Sequence, residues 1–136
     1  MPSYRVKDAA DLLGVSDDTV RRWAESGRIE TTTDASGRQA IDGAALARFA
    51  EELARDAAQL QPGDIAAASV RNRFTGLVTR VVKDTVMAQV EIQAGPHRFV
   101  SLLSREAADE LGLEPGVLAV AAVKATNVSV EIPRTR

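Results

Sequence analysis

The spacing of the apolar residues changes near Leu60, and this change most constrains the fold. Before it, apolar residues recur at the spacing of amphipathic helices. After it, they alternate at the period of two that is typical of half-buried strands. The break falls in "LQPGD", where the Pro-Gly pair is a strong turn signal. We therefore predict an α+β chain of two domains, α-rich over residues 1–60 and β-rich over residues 67–136, with a linker over residues 61–66.

The composition limits the possible functions. The 136 residues include no cysteine and one histidine, which leaves little material for thiolate metal sites, a cysteine nucleophile or histidine-based catalysis. We expect neither an enzyme nor a bound metal cation. The formal net charge of −2 gives no global basic field. Without an apolar run of membrane-spanning length or a signal-like start, we expect a cytoplasmic protein that does not enter membranes.

The stretch "YRVKDAADLLGVSDDTVRRWAESGRIE" predicts two short helices joined by a tight turn. Gly14 suits the position that ends the first helix. Ser16 is the predicted N-cap of the second, with Asp17 and Asp18 in its first turn, where the helix dipole favours acids. Trp23 lies on the apolar face of the second helix and is predicted to be in the core. Two helices joined in this way are typical of a helix-turn-helix.

The next two segments predict a small hairpin and a longer helix. "RIETTTDASGRQAI" alternates around an Asp-Ala-Ser-Gly turn, which is the pattern of a hairpin, or wing. "IDGAALARFAEELARDAAQL" has helical periodicity, with Asp42 as its predicted N-cap. Leu46, Phe49 and Leu53 lie on its apolar stripe.

Residues 3–55 resemble the winged helix-turn-helix of the MerR and excisionase-like group. The Val-Ser-x-x-Thr-Val-Arg-Arg-Trp pattern, the Gly-Arg wing and the "IDGAALARF" helix carry the resemblance. In that group the second helix enters the major groove and the wing touches the flanking backbone, so the resemblance implies double-stranded DNA as a partner. It implies residues on or near the reading helix at Asp17, Asp18, Thr19 and Arg22, and phosphate contacts from Arg21, Arg28 and Arg38.

The charge of this half permits DNA binding without requiring it. Residues 1–60 contain eight Lys and Arg against eleven Asp and Glu. Binding would therefore depend on a local patch of arginines and would be strongly weakened by salt. The alternative is that these arginines only keep a helical face in contact with water.

The C-terminal half predicts short strands and one interposed helix. The clearest alternation runs from Val86 to Ala94. "SREAADELGLEPG" predicts a helix with Ser104 as N-cap, Leu111 on its apolar face and Gly112 at its end. "VLAVAAVKAT" and "VSVEI" predict two further strands. This set suggests a small OB-like β-barrel.

Residues 67–132 are similar to the Mop or molbindin module, the molybdate-type TOBE domain. "SVRN" before the first strand, a Met-Ala-x-Val strand, a Leu-Gly-Leu helix end and Lys-Ala-Thr-x-Val carry the similarity. The family binds molybdate or tungstate at subunit contacts, which implies a homodimer or higher homo-oligomer and no further cofactor. The implied ligand groups are Ser69 and Arg71 from one chain, with Ser104, Lys124 and the backbone N–H of Ala125 from the opposite chain.

These residue types suit a tetrahedral dianion. Such an ion has no proton to donate, so it needs hydrogen-bond donors and cations to replace its water. One position departs from the family, which often has Ser or Thr where this chain has Ala107; the lost hydroxyl is a donor worth about 1 kcal/mol. The alternative is that Ser69 and Arg71 only cap a strand and that Lys124 is an exposed strand residue.

The leading hypothesis is a transcriptional regulator that binds DNA and senses molybdate or tungstate. A second is an anion storage or buffering protein whose barrels assemble into a molbindin-like oligomer. A third is a DNA-binding protein whose barrel only oligomerises.

Overall fold

The computed structural model describes residues 2–57 and 69–134, and the chain divides into two compact units between residues 59 and 60. The predicted linker over residues 61–66 lies outside the described residues. Each unit has its own hydrophobic core. Within the described ranges, no helix is long and apolar enough to cross a bilayer.

The N-terminal unit contains three helices and a three-stranded antiparallel sheet, which confirms the winged helix-turn-helix. In the sheet, β3 is central and pairs with β1 on one side and β2 on the other. The elements in chain order are β1 (Ser3–Arg5), α1 (Val6–Leu13), α2 (Asp17–Glu25), β2 (Thr32–Thr33), β3 (Gln39–Asp42) and α3 (Gly43–Asp56).

The turn between α1 and α2 follows from two local signals in the sequence. Gly14 has a φ of 72°, in the left-handed region that glycine adopts most readily. The N–H of Val15 donates to the carbonyl of Ala10 at 3.0 Å and closes the end of α1. Ser16 then caps α2, because its Oγ accepts from the N–H of Thr19 at 3.1 Å.

The wing is closed by the carboxylate of Asp34. Its Oδ1 accepts from the N–H of Ser36 and the N–H of Arg38, both at 2.9 Å, and from the hydroxyl of Ser36 at 2.7 Å. These hydrogen bonds, first of all that from the Ser36 side chain, hold the pKa of Asp34 below its usual range. Strand β3 leads directly into α3, where Asp42 accepts from the N–H of Ala45 at 3.1 Å.

The core of the N-terminal unit lies between the helices and β3. Val20 of α2 and Ile41 of β3 are fully buried at its centre. Trp23 packs against this core, as predicted, with its ring edge-on to that of Phe49 at a centroid distance of 5.1 Å.

The C-terminal unit is a four-stranded antiparallel sheet with one short helix. Its strand order is β6-β5-β4-β7. The elements are β4 (Asn72–Lys83), β5 (Met87–Ala94), β6 (His97–Ser104), α4 (Arg105–Glu110), β7 (Leu118–Val123) and a 3₁₀ turn (Ala125–Asn127).

Strand β4 organises this sheet because its two halves have different partners. Residues 72–77 pair with β7, and residues 77–83 pair with β5. A register shift between Val78 and Arg80 marks a bulge where the pairing changes. Bulges bend a strand and increase its twist, so the sheet curls around the middle of β4.

The concave face of the sheet forms the second core, around Val78, Val90, Ile92 and Ala121. On β5, Glu91 is also buried, at 6% exposure, and it forms salt bridges with Arg98 of β6 and with Arg80 of β4. A buried carboxylate requires such partners to replace its water. Glu91 therefore links three neighbouring strands.

Three predictions for the C-terminal unit were wrong. Residues 128–132 form no strand, because none of the described strands pairs with them. Strand β7 ends at Val123, because Lys124 begins the 3₁₀ turn. Leu111 is 66% exposed and lies just beyond α4 as its C-cap residue, so no helical face directs it into the core.

Gly76 of β4 lies against the backbone of β5, and a side chain there has no room. A Cβ at this position would clash with the backbone carbonyl of Gln93 and lie 2.9 Å from Cα of Ala94. We expect Gly76→Ala to lower the free energy of unfolding by about 1–3 kcal/mol, the usual effect of overpacking. Urea unfolding followed by circular dichroism measures it, with Thr75→Ala as the control that adds no atom. Equal stability of Gly76→Ala and wild type would contradict the prediction.

Candidate functional site

Helix α2 presents five of the residues that the sequence assigns to DNA binding, four on or near the reading surface and Arg21 as a phosphate contact. None of them is buried, and α2 begins at its cap Ser16 with two acids in the first turn. The set comprises Asp17, Asp18, Thr19, Arg21 and Arg22.

The two arginines of α2 have different partners. Arg21 Nη1 lies 3.3 Å from the carboxylate of Asp18, one turn earlier. Arg22 Nη2 donates to the hydroxyl of Thr19 at 3.3 Å, and that hydroxyl also lies 2.9 Å from Ser16 Oγ. Within the described residues, no carboxylate pairs with Arg22. Of the two arginines of α2, Arg22 is therefore the one without a carboxylate partner among the described residues.

Arg28 follows α2 and is held by two aromatic rings. Its guanidinium carbon lies 5.5 Å from the ring centroid of Trp23 and 5.4 Å from that of Phe49. Cation–π contact keeps the side chain in place while it stays exposed. The fourth predicted arginine, Arg38, is exposed on the wing, where its backbone N–H is held by Asp34.

The C-terminal unit brings two predicted anion ligands together at one end of the sheet. Asn72 pairs with Val123, and its side-chain Nδ2 donates to the carbonyl of Val123 at 3.1 Å. Arg71 and Lys124 are the next residues beyond this last antiparallel pair, and both are exposed. The register therefore sets Arg71 beside Lys124 within one chain. The family resemblance implies Lys124 and Ala125 from an opposite chain, and that contribution stays a prediction; the register adds that each chain also has these two residues next to its own Arg71.

The 3₁₀ turn adds backbone donors at the same end. Lys124 is its N-cap residue, and the carbonyl of Lys124 accepts from the N–H of Asn127 at 2.9 Å. The first N–H groups of such a turn have no acceptor inside it, so the N–H of Ala125 can bind an external oxygen. Ser69, which is exposed, precedes Arg71 by two residues.

Ser104 lies at the other end of the sheet. It ends β6 and pairs with Met87 at the start of β5, beside the end of β4 rather than its beginning. Its Oγ caps α4 by accepting from the N–H of Ala107 at 3.0 Å, which leaves its O–H free to donate. One chain therefore does not bring Ser104 to Arg71, and a site that uses both needs two chains.

A salt bridge that the sequence did not reveal holds α4, the helix that Ser104 caps, against the end of β4. Lys83 Nζ donates to the carboxylate of Asp109 at 2.6 Å, and this bond lowers the pKa of Asp109. The two residues are 26 positions apart, so no local pattern could indicate the contact. Among the described residues, no group of three or more acids or histidines could hold a metal ion.

Two family models match the chain, one on each unit. The model of a helix-turn-helix domain matches residues 3–54, and the model of the TOBE domain matches residues 68–130. These matches agree with the two resemblances that the sequence motifs carry.

The similar proteins align with the C-terminal unit. Molybdenum-pterin-binding protein 2 of Clostridium pasteurianum is 35% identical over 63 residues, which cover 46% of this chain and 93% of that protein. Molybdenum-pterin-binding protein 1 of the same organism is 32% identical over 63 residues, with the same coverage. A solved molybdate binding protein from Sporomusa ovata is 32% identical, covers 48% of this chain and 98% of its own, and has a TM-score of 0.47.

Proposed function

Because the chain belongs to the TOBE family over residues 68–130 and carries a helix-turn-helix domain over residues 3–54, we propose that it is a DNA-binding transcriptional regulator that senses molybdate or tungstate. The relatives are named for binding molybdenum-pterin or molybdate, and they align with the TOBE domain. The helix-turn-helix domain supplies the DNA-binding part of the proposal.

One observation carries the anion part of the proposal: Arg71 and Lys124 lie side by side, just beyond the last residue pair of β4 and β7. Two cations side by side repel each other, and a dianion between them relieves that repulsion. The oxygens of molybdate or tungstate accept hydrogen bonds only, which the guanidinium, the ammonium and the N–H of Ala125 can all donate.

The proposed site is shared between two chains. Ser69, Arg71, Lys124 and Ala125 come from one chain, and Ser104 comes from a second, because Ser104 lies at the far end of its own sheet. Each Ser104 stands at the start of α4, where the hydroxyl can donate to an anion while its oxygen continues to cap the helix. An anion bound in this way stabilises one arrangement of the two chains.

The DNA part of the proposal assigns different roles to the arginines. Arg22 has no carboxylate partner among the described residues and reaches base edges from the reading helix. Arg21, Arg28 and Arg38 contact phosphates, which supply affinity without sequence information. A homodimer binds two half-sites about one helical turn apart. An anion that favours one dimer arrangement changes the spacing of the two reading helices, and so changes the affinity for DNA.

Anion storage is the second candidate function, and the relatives favour it. The TOBE module alone spans 93% of each molybdenum-pterin-binding protein, so the module serves there without a helix-turn-helix domain. The storage function predicts several anions per oligomer and no binding to DNA. The DNA measurement below distinguishes the two functions.

The anion site is tested by titration calorimetry with molybdate, tungstate and sulfate. We expect wild type to bind molybdate or tungstate, and Arg71→Ala and Lys124→Ala each to bind about 10- to 100-fold more weakly, because each loses charged hydrogen bonds worth roughly 1.5–3 kcal/mol. Arg73→Ala is the matched control, since Arg73 is an exposed arginine two residues further along the chain, in β4, without a proposed ligand role. Equal affinities of wild type and Arg71→Ala would refute the site.

Ser104 allows its role in binding to be separated from its role in folding. Asp is as good an N-cap as Ser, so Ser104→Asp should leave the free energy of unfolding within about 0.5 kcal/mol of wild type, whereas Ser104→Ala should lower it by about 1 kcal/mol. Because the added carboxylate repels a dianion, Ser104→Asp should abolish anion binding. Thermal unfolding and calorimetry on the same samples measure both effects. Undiminished anion binding by Ser104→Asp would remove Ser104 from the site.

DNA binding is tested with a duplex selected by the wild-type protein from a random-sequence library. We expect Arg22→Ala to weaken binding to that duplex by about 1–3 kcal/mol and to reduce its preference over unselected DNA. Arg28→Ala should weaken binding to the selected duplex and to unselected DNA alike. It should also lower the slope of log affinity against log salt concentration by about 1. Arg48→Ala, on the exposed face of α3, is the control. Failure to select any duplex at low salt, together with anion binding, would favour storage.

A further inference from the structure

Arg28 lies against an aromatic corner that two helices build together. Trp23 of α2 and Phe49 of α3 meet edge to face, with their ring centroids 5.1 Å apart. The guanidinium carbon of Arg28 lies 5.5 Å from the first centroid and 5.4 Å from the second, so the three groups stand at nearly equal distances from one another. The side chain therefore contacts both helices, although Arg28 belongs to neither.

The backbone on both sides of Arg28 is fixed as well. Gly27 follows α2 with a φ of 76°, and the N–H groups of Arg28 and Ile29 both donate to the carbonyl of Trp23, at 2.9 and 3.3 Å. The next side chain, Ile29, is 4% exposed and anchors this segment in the core. The backbone of Arg28 is thus held close to the ring over which its side chain lies.

The aromatic contacts leave the guanidinium able to bind an anion. Contact with a ring face uses the charge of the guanidinium and not its N–H hydrogen bonds. In the described part of the chain, no carboxylate pairs with Arg28, and the residue is exposed. Its cation is therefore held in one place without being neutralised.

A cation held in this way binds a phosphate with a smaller loss of entropy than a free one. Ordering a long, flexible side chain opposes binding, and a group that already occupies its bound position avoids that loss. The contact requires both rings, and Phe49 belongs to α3, a helix to which the proposed function gives no role in DNA binding.

We propose that Trp23 and Phe49 are positioning residues for DNA binding, which hold the guanidinium of Arg28 in place for a phosphate beside the end of α2. This inference rests on the proposed function and deepens it, because it makes one contact with DNA depend on a core side chain of α3. The alternative role of the same contact is to cover the apolar rings with the stem of the arginine. The two roles differ in what the removal of a ring does to the affinity for DNA.

A double-mutant cycle measures the coupling between Arg28 and Phe49, which is chosen because it lies outside the reading helix. Fluorescence anisotropy gives the affinity for the duplex selected by wild type, for wild type, Arg28→Ala, Phe49→Leu and the double variant. We expect Phe49→Leu to weaken binding about 2- to 5-fold in the wild-type background, the effect of losing an exposed cation–π contact, and to have no further effect in the Arg28→Ala background. Equal losses in both backgrounds, or no loss in either, would overturn the proposal.

Leu46→Val is the matched control for a change in the core. Leu46 lies on the same helix and in the same core as Phe49, at 5% exposure against 4%, but it carries no ring. We expect Leu46→Val to bind the duplex like wild type, and thermal unfolding of each variant shows that it is folded at the temperature of the measurement. A loss for Leu46→Val as large as that for Phe49→Leu would show that a loosened core is the cause and would refute the positioning role.

Arg28→Lys tests the same proposal without changing the core. Lysine keeps the charge but replaces the planar guanidinium with a compact ammonium on a flexible stem. We therefore expect Arg28→Lys to bind the duplex more weakly than wild type, and because Arg28 is exposed the substitution should leave the fold intact. Equal affinity of Arg28→Lys and wild type would show that charge alone is sufficient and would contradict the proposal.

The outcomes separate this proposal from the proposed function. If wild type selects no duplex, DNA binding itself fails and the positioning role fails with it. If wild type binds a selected duplex and Arg28→Ala weakens that binding, but Phe49→Leu costs the same factor in both backgrounds, DNA binding stands and only the positioning role is refuted.

Discussion

The pairing of Asn72 with Val123 is the constraint on which the candidate anion site depends. These residues are 51 positions apart, and the Asn72 amide adds a side-chain hydrogen bond to the backbone pairing of β4 and β7. The pairing ends there, and Arg71 and Lys124 lie just beyond it on the two neighbouring backbone segments of the same chain. Bringing two cations together is unfavourable, and the sheet bears that cost because its pairing and core fix both strands. In the proposed site, a dianion between the two side chains would recover part of this free energy.

The features that the sequence predicted correctly are those set by local chemistry. Ser16, Asp42 and Ser104 were expected as N-caps, and each side chain accepts a hydrogen bond from a backbone N–H three residues on. Capping depends on neighbouring residues alone, so a single sequence carries the full signal. The two-domain α+β order could be predicted for a similar reason, because hydrophobic period and turn residues are also local.

The features that could not be predicted from the sequence are set by strand register and by contacts between elements that are far apart in the chain. The positions of Lys124 and Ala125 relative to Arg71 follow from which residues of β4 and β7 are paired, and no motif encodes that register. The segment Val128–Ile132 has a strand pattern but no strand partner among the described residues, because a period-two pattern does not by itself provide a neighbouring strand. Asp109 contacts Lys83 only because α4 packs beside the end of β4.

The proposed anion site joins groups that one chain keeps apart. Lys124 and Ala125 begin the 3₁₀ turn beside Arg71, whereas Ser104 caps α4 at the other end of the sheet. In the proposed site, an anion held by both ends stabilises one arrangement of two chains, and by linkage that arrangement binds the anion more tightly by the same factor. The proposal therefore joins anion binding to the pairing of chains that presents two reading helices to DNA.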